Sequence, residues 1–147
     1  MKIYDITLTQ FLLLGNLGPL KIGIDREEVL TQLGEPPSWS AKSRKEIAPL
    51  WKYGILQIAF SSNRVWYIGL YPEDEVDLPS AFKLAGYFPT DTTTHEEFEE
   101  YLMSEEISYH PDLEDPSKDT ATIAINSTTH IYFSDSKLVY SIIHRDK

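Results

Sequence analysis

The chain contains no cysteine. That excludes disulfides, zinc–thiolate sites, iron–sulfur clusters and thiol nucleophiles together, and fits a reducing compartment. It also lacks a long apolar run: Phe11–Leu14 is far shorter than a membrane span. Asp5 and Gln10 interrupt the first residues and no small-residue cleavage site follows, so the N-terminus reads as something other than a signal peptide. The resulting expectation is a cytoplasmic protein. Basic residues are scarce, with 13 Lys and Arg against 23 Asp and Glu, for a net charge of −10. A chain so acidic is expected to bind neither nucleic acid nor anionic membrane, since both would repel it. It suits a protein partner, and the charge suits a basic one.

Catalytic signatures are missing as well. HExxH, His-x-His, GxSxG and a phosphate-cradling glycine loop are all absent. No catalytic residue, metal ligand or cofactor is assigned on this reading. The alternative is an enzyme, dependent on a metal or a small ligand, that uses His110 in YHPDLED with Asp112, Glu114 and Asp115. A solvated loop explains the same residues. The acidic pairs Glu96-Glu97, Glu99-Glu100 and Glu105-Glu106 read as the wet face of a helix whose buried side carries Phe98, Leu102 and Met103.

What is present has the composition of a folded protein, at 41% apolar and 24% charged over 147 residues. One domain, residues 1–147, is expected. Near the start, LTQFLLLG reads as a short helix closed by Gly15 or as a strand. Asp25 and Glu28 form a capping-box-like start to a helix carrying Val29, Leu30 and Leu33, which Gly34 closes and Pro36-Pro37 keeps from resuming. After a polar loop bearing Lys42, Arg44 and Lys45, an antiparallel meander follows. Its strands are Trp51–Tyr53, Leu56–Phe60 and Val65–Tyr71, with turns at Gly54-Ile55 and at SSNR.

The order then recurs. A single offset relates Asp25, Glu28, Val29 and Leu33 to Thr94, Glu97, Phe98 and Leu102. A slightly larger one relates Phe60–Val65 to Phe133–Leu138 and Tyr67 to Tyr140. The spacing predicts an α+β fold of two degenerate helix–meander halves, about 20–71 and 94–144, with helices on one face of one sheet or of two adjacent sheets.

The runs IGIDREEVLTQLGEPP, WKYG, LQIAF and RVWYIGLY resemble the helix–meander unit of the bacterial β-lactamase-inhibitor proteins and the small outer-membrane assembly lipoproteins. The inhibitors carry two such units in tandem. What the resemblance implies is a binding scaffold that offers an aromatic-bearing concave sheet face to a partner protein. The family members are exported and the lipoproteins carry a lipid-bearing cysteine; this chain shows neither feature. In size, acidity and want of enzyme motifs it is similar in general character to cytoplasmic immunity proteins of bacterial toxin systems.

The central question is what the aromatics of residues 51–71 do. If Leu56, Ile58, Phe60, Ile131 and Phe133 face the helices, Gln57, Ala59, His130 and Tyr132 face outward. The third strand is apolar on both faces, which means double burial or a binding patch. Expected partner-binding residues are Trp51, Tyr53, Trp66, Tyr132 and His130, on an exposed face rimmed by acids. The other reading has Trp51, Tyr53 and Trp66 covering a shallow core. Self-association through the same face is a third possibility.

Overall fold

Each helix starts where a side chain satisfies its free amides. The computed structural model describes residues 2–40, 42–111, 122–134 and 136–146. After a strand β1 (Tyr4–Ile6), helix α1 (Leu8–Leu14) is capped by Thr7, whose hydroxyl accepts from the Gln10 amide, and closed by left-handed Gly15. Helix α2 (Arg26–Leu33) is capped by Asp25 accepting from the Glu28 amide at 2.8 Å. A later helix, α3 (His95–Ser104), carries a complete capping box between Thr94 and Glu97. Each cap stabilises its helix by about 1 kcal/mol. On α3 the buried residues are Phe98, Tyr101 and Leu102, while Met103 is exposed. The expectation for Met103 fails because it lies five residues from Phe98, well round the helix from the core-facing stripe.

The strands between and after these helices are β2 (Ser38–Trp39), β3 (Leu50–Tyr53), β4 (Leu56–Ser61), β5 (Arg64–Leu70) and β6 (Phe82–Leu84), then β7 (His110–Pro111), β8 (Thr122–Ala124), β9 (Thr129–Phe133) and β10 (Val139–Arg145). Eight of them form one antiparallel sheet in the order β2-β3-β4-β5-β10-β9-β8-β7, and β1 with β6 forms a small parallel pair. The fold is therefore α+β, with a single continuous large sheet. Gly54 supplies the positive φ for the β3–β4 turn, and Ser62 with Asn63 forms a two-residue turn, both at positive φ, between β4 and β5.

β5 and β10 lie side by side at the sheet centre, so each helix-plus-strands half occupies one wing. The wings are held alike: the segment before α2 bridges β5 through Ile24 and Val65, and the segment before α3 bridges β10 through Thr93 and Val139.

All three helices cover the same face of the sheet. Arg26 at the start of α2 packs over the Trp51 and Phe60 rings, Phe98 of α3 meets Phe133, and Phe11 of α1 meets His144. One core cluster joins them, including Phe11, Val29, Trp51, Ile68, Phe98 and Ile131. Among the described residues no helix is long and apolar enough to cross a membrane.

Candidate functional site

The aromatics of residues 51–71 divide between two faces. Trp51 is 1% exposed, on the helix side. Its indole Nε1 donates to the Lys45 carbonyl at 2.8 Å, and its ring meets Phe60 edge-on with centroids 4.9 Å apart. Tyr53 is buried too, donating its hydroxyl to the Gly34 carbonyl at the end of α2 at 2.8 Å. Burial raises the Tyr53 hydroxyl pKa, with a smaller push from Glu35. Both were expected on the exposed face, and both belong to the core. The reason is pleat parity: Trp51 pairs with Ile58 and Tyr53 with Leu56, so they share the helix-facing side with these apolar partners.

The remaining three, Trp66, Tyr132 and His130, lie on the opposite face. A β-bulge decides the case of Trp66. Phe60 pairs with Val65 but Ala59 pairs with Tyr67, leaving Trp66 as the extra residue. The bulge breaks the alternation, so Val65 and Ile68 both go to the core while Trp66 and Tyr67 both face outward. The same thing happens on the neighbouring wing. Phe133 pairs with Val139 and Tyr132 with Ser141, which makes Tyr140 the extra residue. By pairing, the counterpart of Trp66 is Tyr140, whereas Tyr67 answers to Ser141. Trp66 is 40% exposed and Tyr140 61%.

Between these two aromatics lies a floor of small residues and reclining tyrosines. Ala59, Gly69 and Ser141 are buried although no described helix covers this face. The covering comes from Tyr67 and Tyr71: a Cβ placed on Gly69 would lie 2.9 Å from both rings. Their hydroxyls hydrogen-bond to each other. Burial and then this bond raise the Tyr67 pKa, with Arg145 opposing. The rings run on in a chain, with Trp66–Tyr67 centroids 5.6 Å apart and Tyr71–Tyr140 6.2 Å apart. On β9, Tyr132 is half-buried and His130 is 5% exposed, their rings 6.3 Å apart. Sequence reasoning missed Tyr67, Tyr71, Tyr140 and Arg145 as members of this face. The Tyr67-Gly69-Tyr71 alternation was a usable signal for two of them.

The acid rim expected here does not come from the sheet. None of its eight strands contains Asp or Glu, and their Lys and Arg residues are Lys52, Arg64 and Arg145. Lys52 and Arg145 share the open face, opposite Gln57 and Tyr67. The described carboxylates lie instead on β1, α2, α3 and the connecting segments, such as 73–77.

Other candidates are less developed. A cleft of about 590 Å³ lies beside α2, lined by residues including Arg26, Lys45, Glu46, Trp51 and Asn63. Its cations are already engaged: Arg26 donates to the Ala48 carbonyl and to Asn63, and Lys45 pairs with Glu35. His110 is exposed on β7, while Asp112, Glu114 and Asp115 lie outside the described residues. Among the described residues no group of three His, Asp or Glu is placed to hold a metal ion. His95 bridges Glu99 at 2.7 Å and packs on Phe133, and His144 bonds Thr129 at 2.8 Å within the helix-side packing. No family model, curated protein or solved structure matches the chain.

Proposed function

We propose that the protein is a non-catalytic protein-binding module of the immunity or inhibitor kind, which docks a partner protein on the open face of its sheet. The observation that carries this reading is the pair of matched bulges, which turn Trp66 and Tyr140 outward at the two ends of a tyrosine-lined floor. Aromatic residues of this type bring large contact area with a polar tip at low entropic cost and dominate binding energetics. Occluding a partner's active site needs shape and contact only. The net charge of −10 favours encounter with a basic partner and makes association salt-sensitive. A cytoplasmic location belongs to the same proposal.

The test is capture of partners from lysate of the source organism, at low and moderate salt, with wild type beside a Trp66→Ala/Tyr140→Ala variant. Trp51 is unsuited to this purpose, since its loss strikes the core. A stoichiometric partner kept by wild type and lost by a variant with native circular dichroism supports docking. A partner held equally by both, or none at either salt, overturns it. Light scattering identifies the case in which the partner is a second copy of the chain.

A further inference from the structure

The open face is chemically one-sided, and the imbalance concentrates at one corner. Arg145 stands directly across from Tyr67 in the β5–β10 register, exposed and within electrostatic reach of its hydroxyl. Among the described residues its guanidinium forms no ion pair. The carboxylate of the neighbouring Asp146 acts on the His144 imidazole. The hydroxyls of Tyr67 and Tyr71 hydrogen-bond to each other, which uses one of their two protons. The second proton remains to be donated to another acceptor. An exposed cation beside a spare hydroxyl donor, above small Gly69 and with no carboxylate on any strand of the large sheet, is the donor set that a carboxylate accepts from.

We propose that the corner formed by Tyr67, Tyr71 and Arg145 is a carboxylate-binding site, which takes an Asp or Glu side chain of the docked protein. It rests on the docking reading and adds to it the chemistry of the anchor. This corner fixes register by holding one acid of the partner. Arg suits the role because its planar fork matches both carboxylate oxygens.

The probe is propionate, which is the glutamate side-chain carboxylate standing alone, with propionamide as its neutral counterpart. Proton–nitrogen correlation spectra of the whole protein are followed during titration at constant ionic strength. The expected result is a saturable shift of the Arg145 Nε resonance and of amides 67–71, at millimolar affinity. It is absent with propionamide, lost in Arg145→Gln and weakened several-fold in Tyr67→Phe. No saturable shift, or the same shift with propionamide, overturns the proposal. A failure here leaves the docking test standing, since loss of partner in Trp66→Ala/Tyr140→Ala does not depend on a carboxylate. Arg145 is exposed, so its replacement leaves the fold intact.

Discussion

Replacing Trp51 and Trp66 in turn separates the two jobs of the aromatics. Trp51→Ala removes an indole that is 1% exposed, packs on Phe60 at 4.9 Å, lies 5.1 Å from the Arg26 guanidinium and donates to Lys45. Buried aromatic truncations cost about 3–5 kcal/mol, and this one also removes the shortest hydrogen bond to the Lys45 carbonyl, which keeps longer ones from Ala48 and Arg26. At this chain length the loss lowers Tm by on the order of 10 °C. Trp66→Ala removes a ring that is 40% exposed. Its cost is within about 1 kcal/mol, as for surface substitutions generally. Equilibrium urea unfolding reads both as shifts in midpoint at constant slope. Trp51→Phe keeps a ring and loses the donor, costs about 1–2 kcal/mol, and remains readable where the alanine variant fails to fold. Equal costs for Trp51 and Trp66, or a near-silent Trp51→Ala, would refute the assignment of the two faces.

Three other outcomes follow from the core side. Tyr53→Phe deletes the bond that ties β3 to the end of α2 and is expected to cost about 1 kcal/mol by urea unfolding, with the partner still bound. Gly15→Ala would set a methyl inside the His144 imidazole at a residue with φ of +75°, and is expected to lower Tm. The left-handed backbone alone contributes about 1–2 kcal/mol to that loss. Burial holds the His144 pKa below its usual 6.5, so the unfolded chain binds the proton more tightly. Stability from this group is full above the unfolded pKa and falls as pH drops through it toward the folded value. Unfolding midpoints between pH 7 and 5 should fall less steeply in His144→Gln than in wild type; identical slopes would exclude a role for this histidine.

Local signals in the sequence were strong enough to place α2, α3 and the hairpins, and left α1 open between helix and strand. Thr94 with Glu97, Asp25 with Glu28, and Gly15 or Gly34 past the last turn each satisfy backbone groups whose needs are independent of the rest of the fold. The two-residue strands β2 and β7 carry too few residues for any period, and the β1–β6 pair joins segments far apart in the chain. Face assignment failed at two points for different reasons. Trp51 and Tyr53 alternate cleanly, but which side of the pleat met the helices depended on pairing with Ile58 and Leu56. Trp66 was equivocal because a bulge leaves no mark on composition. Five residues separate the paired Phe133 and Val139 where four separate Phe60 and Val65, which moves the counterpart of Trp66 from Val139 to Tyr140. The acid rim was inferred from total charge, and total charge carries no information about which elements hold it.

The dissociation constant of the captured complex, measured for wild type, Trp66→Ala/Tyr140→Ala and Trp39→Ala, tests the central claim most directly. Trp39 is as exposed as Trp66 but sits on the edge strand β2, away from the bulges, and controls for losing a surface indole. Central aromatic anchors cost about 2 kcal/mol or more each when truncated. The account predicts binding weakened by about 100-fold or more in the double variant and unchanged in Trp39→Ala. Unchanged affinity in the double variant, with weakening in Trp39→Ala, would place the interface elsewhere and contradict it.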